Sequence, residues 1–230
     1  MNKQTIFRSA AAVATAVGIA SASLPAQAQD HGAMLGNWFQ VSGPGGIRLT
    51  ENGTVQFRGR QEWPMTATEC TAGFEHAFQT VNGQALYAEL SADAVFDNDG
   101  VPIAEGLRGR LPDGDVAVLH SQCFGASEIG STVYYALVAP DRLLAVAFGD
   151  GIYGIDDLQR EPPMVPPQSL DQETREAIQS ALKALGFYED EVDGMFGPAS
   201  RAAVSAFQAS LGDEETGILN RYQMDILLGN

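Results

Sequence analysis

Two cysteines, Cys70 and Cys123, are the side chains best suited to nucleophilic or redox chemistry, and His120 lies just before the second. One hypothesis makes Cys123 a nucleophile with His120 as its base. That chemistry needs an activated thiolate and a third group that orients the base, and nothing at this spacing supplies either. We favour the alternative, a disulfide between Cys70 and Cys123, because two cysteines allow only one pairing and an oxidising compartment joins paired thiols.

Metal and cofactor sites are not indicated by the sequence. The three histidines do not have the spacing of metal ligands. Residues 97–100 hint at a calcium loop, but Val95 and Gly106 stand where an EF-hand needs Asp and Glu. The Gly-x-Ser-x-Gly motif of serine hydrolases is absent from the sequence. We therefore predict no metal, no cofactor and no catalytic residue, although a pair of carboxylates for glycoside hydrolysis stays open because only their spatial separation would reveal it.

Charge restricts the partners of the protein. Its 230 residues contain 13 Lys and Arg against 29 Asp and Glu, a formal net charge of −16. Nucleic-acid binding is disfavoured, because that affinity comes from neutralising phosphates with basic side chains. Anionic membrane surfaces are disfavoured for the same reason. With 45% hydrophobic and 18% charged residues, the composition is that of a globular protein.

The first 28 residues have the pattern of a bacterial-type signal peptide. Lys3 and Arg8 give a cationic start, an apolar run of small residues follows, and Ala26 and Ala28 suit the signal peptidase. The apolar run is too short for a transmembrane helix, which needs about 20 apolar residues. We therefore expect cleavage near residue 28, no membrane insertion afterwards, and a periplasmic or secreted protein.

Residues 29–160 are predicted to form an all-β domain, an antiparallel barrel or sandwich. Short apolar or alternating runs at 54–58, 85–90, 115–119 and 132–138 are typical of strands. Asn-Gly and Asp-Gly pairs between the runs are typical of tight turns. Repeated strand and turn units favour a sandwich or a barrel.

A proline-rich linker is predicted at residues 161–168. Four of the six residues at 162–167 are prolines, which favour extended backbone and donate no hydrogen bond. We expect a semi-rigid spacer of roughly 20 Å at this point.

Residues 169–230 change to a helical period. Ser169 or Asp171 can cap a first helix that Gly186 ends, Pro198 suits the first turn of a second, and a third begins near Asn220. Their apolar stripes contain Ile178, Leu182 and Leu185, then Val204, Phe207 and Leu211, then Tyr222, Ile226 and Leu227. Three short amphipathic helices can enclose a small core.

The helical region resembles the three-helix peptidoglycan-binding domain that is appended to many cell-wall enzymes. The matching positions, in order, are Ile178-Gln179, Leu182, Leu185-Gly186-Phe187-Tyr188, Val192-Asp193-Gly194-Met195-Phe196-Gly197-Pro198, Arg201, Ala203-Val204, Ala206-Phe207-Gln208 and Thr216-Gly217-Ile218-Leu219. The resemblance covers about a quarter of the chain and implies peptidoglycan, either its glycan or its stem peptide, as the partner. Ser200, where the family usually has Thr, and the acidic loop 212–215 depart from the pattern.

Within this region, aromatic and basic side chains are the candidates for contact with cell-wall polymer. Aromatic faces stack on sugar rings, and Arg pairs with carboxylates. The candidate ligand-binding residues are Tyr188, Arg201, Gln208, Arg221 and Tyr222.

The ligand of the β domain is not identified by the sequence. Residues 35–39 (Leu-Gly-Asn-Trp-Phe) resemble the Gly-x-Trp first strand of lipocalin-like barrels, and the outline is similar to small periplasmic barrel inhibitors. We predict an exported, non-catalytic protein that binds peptidoglycan and presents the β domain near the wall, where an unknown protein is a possible partner. The alternatives are a cell-wall hydrolase and a β-barrel inhibitor or carrier.

Overall fold

The structure, a computed structural model, describes residues 31–70, 72–92, 95–124, 132–149 and 152–229. The predicted signal peptide, residues 1–28, lies outside these described residues. The strands are β1 (Gly36–Gln40), β2 (Gly45–Thr50), β3 (Gly53–Arg58), β4 (Gln61–Thr66), β5 (Gly73–Asn82), β6 (Asp115–Phe124), β7 (Thr132–Ala139), β8 (Arg142–Gly149) and β9 (Ile152–Gln159). The helices are α1 (Gly83–Leu90), α2 (Ile103–Gly106), α3 (Gln172–Ala184), α4 (Pro198–Leu211) and α5 (Arg221–Leu228), with 3₁₀ turns at His31–Met34 and Pro167–Ser169.

The nine strands described form one antiparallel sheet in the order β4-β3-β2-β1-β9-β8-β7-β6-β5. The first and last strands of the β region are joined through Phe39 opposite Gln159 and Gln40 opposite Leu158. The sheet curls into a nearly closed barrel, and the Nε2 atom of His76 on β5 lies 2.9 Å from the carbonyl oxygen of Thr50 on β2. The prediction of an antiparallel all-β domain followed by a three-helix module is confirmed.

Strand β6 is buried on both faces, so the barrel region has two apolar layers. Its alternation places Ala117 and Leu119 in an inner cluster with Trp38, and Val116 and Val118 in an outer cluster under α1 and α2. Because successive side chains of a strand point to opposite faces, a strand covered on both sides loses its polar alternation. This explains the continuous apolar run at 116–119.

The predicted strand at 85–90 is wrong, because these residues belong to helix α1. The side chain of Asn82 accepts hydrogen bonds from the backbone N–H groups of Gln84 and Ala85, which caps the helix. Leu86 and Leu90, four residues apart, are buried against the sheet. Gly83 serves close packing, since a Cβ atom there would collide with the carbonyl oxygen of Pro112.

Trp38 is fully buried in the inner apolar cluster of the barrel. Its Nε1–H donates to the carbonyl oxygen of Met34 over 2.7 Å, and the guanidinium of Arg160 lies 3.7 Å above its ring centroid. Arg160 also donates to the carbonyl oxygens of Leu35, over 2.8 Å, and Ala33. The residue that follows β9 therefore ties the N-terminal 3₁₀ turn to the barrel. No pattern in the sequence predicted this role for Arg160.

The predicted disulfide between Cys70 and Cys123 is confirmed. It joins the segment between β4 and β5 to strand β6, and the two residues lie 53 positions apart in the chain.

Helices α3, α4 and α5 enclose a separate apolar core, and we call residues 171–229 the helical module. Of the two candidate caps for the first helix, Asp171 is the one that caps α3, and Asn220, where the third helix was predicted to begin, caps α5. Ile178, Leu182, Val204 and Phe207 are buried in this core. Leu185, by contrast, is 55% exposed, because α3 ends at Ala184 and Leu185 turns out of the apolar stripe.

The segment predicted as a semi-rigid proline linker, residues 161–168, pairs with the backbone at the start of α5. The N–H of Val165 donates to the carbonyl oxygen of Leu219 over 2.9 Å, and the N–H of Arg221 donates to that of Pro163 over 2.8 Å. Proline lacks its own N–H but retains a carbonyl acceptor, so the segment pairs with the backbone before α5. The linker thereby holds α5 close to the barrel.

Candidate functional site

Two buried glutamines fix the loops of the helical module. Gln179, on α3, accepts through Oε1 from the backbone N–H groups of Asp193 (3.0 Å) and Gly194 (2.7 Å). Its Nε2 lies within hydrogen-bond distance of the Tyr188 hydroxyl, the Asp193 carboxylate, the Met195 carbonyl and the Ser200 hydroxyl. The two N–H hydrogens and the oxygen of this buried amide are shared among these groups, and such a network specifies one loop conformation.

Gln208, on α4, repeats this arrangement in the next loop. Its Oε1 accepts from the N–H of Gly217 over 2.9 Å, and its Nε2 lies 3.0 Å from each of Thr216, Ile218 and Gln223. Gly194 and Gly217, the paired glycines, have φ angles of 70° and 69°. Their positive φ suits glycine, which lacks a Cβ atom. The Asp-Gly and Thr-Gly pairs of the sequence are therefore the loop ends that the glutamines bind.

The structure places the five candidate ligand-binding residues in three different environments. Tyr188 is 6% exposed and Gln208 1% exposed, and both take part in the buried networks. Arg201 is exposed on α4. Arg221 and Tyr222 are half-buried at the start of α5, where the module meets the barrel. The five do not form one continuous surface.

Aromatic rings join α5 to the barrel. The Tyr222 ring centroid lies 5.6 Å from that of Phe39 and 5.8 Å from that of Phe57, both edge to face. Phe39 and Phe57 contact each other at 5.5 Å in the same manner. Gly46 lies between them in the sheet, and a Cβ there would collide with the Phe57 ring. The lack of a side chain at Gly46 thus leaves room for the Phe57 ring and its contacts with Phe39 and Tyr222.

An ion pair accompanies this ring cluster. Nε of Arg58 lies 3.5 Å from Oδ1 of Asp225, whose side chain is 3% exposed, whereas the Arg58 side chain is 50% exposed. We call Phe39, Phe57, Arg58, Tyr222 and Asp225 the seam. Beside it, Arg48 is paired with Glu62 at 2.8 Å and donates to Asn37 over 2.9 Å.

The electrostatics of Tyr222 reflect its position at the seam. Burial raises the pKa of its hydroxyl, and the nearby negative charges of Asp213 and Glu62 raise it further. The positive charges of Arg48 and Arg60 act on the same pKa in the opposite direction. The phenol therefore lies within electrostatic reach of charged groups from both units.

The Cys-His hypothesis is wrong, because Cys123 is in the disulfide. The side chain of His120 also projects from the face of β6 opposite to that of Cys123, because the two residues are an odd number of positions apart on the strand. There its ring packs 4.7 Å from Tyr134 between centroids. Burial lowers the pKa of His120 and raises that of Tyr134 to about 12.

No other reactive cluster emerges in the described ranges. There, no group of three or more His, Cys, Asp or Glu side chains is arranged to hold a metal ion. The barrel interior is filled by side chains such as Trp38, Leu119 and Tyr135. A cleft of about 180 Å³ lies outside the barrel beside Tyr87 and Arg108. None of the helices described is long and apolar enough to cross a membrane.

The seam was missed in the sequence analysis for a physical reason. Phe39, Phe57 and Arg58 are ordinary strand residues, and their contact with α5 depends on tertiary placement. The one available signal was Asp225, an acidic residue inside the apolar stripe of α5. Buried carboxylates are rare unless paired, so Asp225 implied a cationic partner.

Comparison with known proteins identifies the helical module. Searches of curated proteins and of solved structures found no match to the chain. A family model does match, and its description is "Putative peptidoglycan binding domain". The match covers residues 171–227, the region that carries the two glutamine networks, and it confirms the resemblance seen in the sequence.

Proposed function

We propose that this is an exported, non-catalytic protein that binds peptidoglycan through its helical module and holds the barrel near the cell wall. The observation that carries the proposal is the family match at residues 171–227, which coincides with helices α3 to α5 and their separate core. The match supports cell-wall binding. Export and the lack of catalysis are our additions.

Export is supported by the sequence of residues 1–28 and by the disulfide. A disulfide persists in the periplasm and outside the cell, whereas the cytosol keeps thiols reduced. The Cys70–Cys123 bridge fits the oxidising side of the membrane, where peptidoglycan also lies. We therefore propose a periplasmic or secreted location.

The barrel is proposed to act as a binding domain. Both of its cysteines take part in a structural disulfide, and its inner layer is filled by apolar side chains. The side chains of the described residues fill this interior, so we propose that a partner contacts the outer surface of the barrel. Holding such a domain at the wall raises its local concentration, and a modest affinity then suffices.

Among the candidate ligand-binding residues, we propose Arg201, Arg221 and Tyr222 for direct contact with peptidoglycan. These three have exposed or half-buried side chains, whereas Tyr188 and Gln208 are enclosed in loop networks. Arg supplies a rigid fork of donors that matches a carboxylate, and the Tyr ring can stack on a sugar.

The direct test is co-sedimentation of the mature chain with purified sacculi. Wild-type protein should pellet with sacculi. Arg201→Glu should pellet less, because the substitution replaces a positive charge that attracts the carboxylates of peptidoglycan with a negative charge that repels them. Arg108→Glu is the matched control, since Arg108 is an exposed arginine of the barrel. If the wild-type chain stays in the supernatant at low and moderate salt, the proposal is wrong.

The same incubation tests the lack of catalysis. Soluble muropeptides should not increase over a protein-free control. Their release in proportion to protein concentration would establish a cell-wall hydrolase instead.

A further inference from the structure

Positive charge is scarce in this protein, and part of it collects where the two units meet. The helical region, residues 168–230, has 4 basic and 11 acidic side chains. The stem peptides of peptidoglycan carry carboxylates, so the module alone would repel much of its own ligand at short range. On the barrel side, β2, β3 and the turn after β3 contribute Arg48, Arg58 and Arg60.

Arg58 presents an unoccupied guanidinium fork at the seam. Its ion pair with the buried Asp225 is made through Nε, at 3.5 Å. In the part of the chain that the structure describes, neither of its Nη atoms has a hydrogen-bond partner. The side chain is half-exposed, so the fork is open to solvent. The Nε atom of Arg58 is thus held by Asp225, whereas its two Nη atoms are available to a ligand.

Arg60 is the second arginine with an exposed side chain at this end of β3. It lies in the two-residue turn between β3 and β4, and it is exposed. Over the described ranges Arg60 makes no ion pair, whereas Arg48 is paired with Glu62 through an Nη atom and Arg58 is paired with Asp225 through Nε alone. Burial and the negative charges of Asp213 and Glu62 raise the pKa of the Tyr222 phenol, and the positive charge of Arg60 acts on it in the opposite direction. Arg60 follows Arg58 by two residues, so both arginines belong to the end of β3 that meets α5.

We propose that Arg58, Arg60 and Tyr222 form a composite site for the carboxylates of peptidoglycan stem peptides. The inference rests on the proposed function and deepens it, because the barrel becomes part of the wall-binding surface. Arg pairs with carboxylates through two parallel N–H donors. The charge of Arg58 balances Asp225, and the charge of Arg60 offsets a further part of the negative charge of the module. The docked arrangement of the two units is then a requirement for full affinity.

The test uses the full mature chain and sacculi. Arg60→Gln removes the charge and leaves the Arg58–Asp225 ion pair in place. We expect its half-saturating concentration for sacculi to rise roughly tenfold, the loss of one charge-assisted contact. Arg108→Gln, the matched control on the barrel, should bind like wild type. Arg58→Gln should weaken binding at least as much as Arg60→Gln, because it also loosens the seam.

A second ligand identifies the source of the carboxylate. On glycan strands from which the stem peptides have been removed by an amidase, wild type and Arg60→Gln should bind equally. An equal loss for Arg60→Gln on both ligands would overturn the stem-peptide assignment. Wild-type affinity of Arg60→Gln for intact sacculi would overturn the composite site and leave the proposed function standing. Failure of every form of the protein, wild type included, to bind sacculi would remove both.

Discussion

The barrel and the helical module hold their loops by different means. The barrel relies on long-range pairing, a disulfide between Cys70 and Cys123, and the stacking of Arg160 on Trp38. The module has neither disulfide nor sheet in the described ranges, and it binds each of its two long loops with one buried glutamine, Gln179 or Gln208.

This difference explains which half of the protein can be identified from sequence. A buried amide demands particular partners at particular positions, so Ile-Gln, Asp-Gly, Phe-Gln and Thr-Gly become a readable motif. An apolar barrel interior accepts many side chains of suitable volume, and it leaves a weaker pattern. The two units should accordingly respond to different perturbations. Both tryptophans, Trp38 and Trp63, lie in the barrel, so tryptophan fluorescence reports on that unit alone.

The largest effect should come from removing the disulfide of the barrel. For residues 53 apart, the chain-entropy argument gives about 4 kcal/mol of stabilisation. We expect the double substitution Cys70→Ala and Cys123→Ala to lower the urea midpoint of tryptophan fluorescence strongly. The helical signal of the module should change much less.

Dithiothreitol provides the control for this prediction. It should shift the wild-type fluorescence midpoint toward that of the double variant and leave the double variant unchanged. A wild-type midpoint that does not respond would show that the bridge contributes little to the stability of the barrel.

The second effect falls on the module. Gln179→Ala leaves the N–H groups of Asp193 and Gly194 without their acceptor and opens a cavity in the loop network. Unsatisfied buried groups cost about 1–3 kcal/mol each, so we expect a loss of about 3 kcal/mol. Circular dichroism at the helical wavelength should show the earlier transition, with tryptophan fluorescence little changed.

Ser180→Ala is the matched control, because Ser180 is the exposed neighbour on the same helix. It should leave the transition within experimental scatter of wild type. Equal loss in both variants would mean that the glutamine network does not set the stability of the module.

Much of the secondary structure could be predicted from local patterns. Strands β3, β6 and β7 follow the apolar runs at 54–58, 115–119 and 132–138, and the caps Asp171 and Asn220 set the starts of α3 and α5. Helix α1 was misassigned because its six apolar or small residues also suit a strand. A run this short does not distinguish a short helix from a strand by its periodicity. Only the cap at Asn82 and the packing on the sheet decide for a helix.

The arrangement of the candidate site could not be predicted in the same way. The sequence indicated Arg221 and Tyr222 by residue type, but not that Phe39, Phe57 and Arg58 of the barrel would lie against them. These contacts depend on how the linker pairs with residues 219–221. One proline carbonyl and one valine N–H form these hydrogen bonds, and backbone groups of this kind leave no pattern of side chains in the sequence.

A third prediction tests whether the two units unfold together. Tyr222→Ala removes two edge-to-face ring contacts, each worth about 0.5–1.5 kcal/mol beyond area burial. We expect the fluorescence and circular dichroism transitions of this variant to move apart compared with wild type. Tyr222→Phe retains the ring and should keep the wild-type pattern. Unchanged spacing of the two transitions in Tyr222→Ala would show that the seam does not couple the units.

The smallest effect concerns the pH dependence of the module. Oδ1 of Asp171 accepts the N–H of Thr174 over 2.7 Å, and this hydrogen bond lowers the pKa of the carboxyl below its ordinary value of 3.8. A carboxyl with a lowered pKa in the folded state stabilises that state above its unfolded pKa, and the stabilisation is lost as the pH falls through the folded pKa. Asp171→Asn keeps a good cap without the titration. The circular dichroism midpoint of wild type should therefore fall more steeply than that of Asp171→Asn as the pH drops from 5 toward 2 (roughly the window in which such a group titrates). Parallel curves for the two proteins would contradict a charged cap at this position.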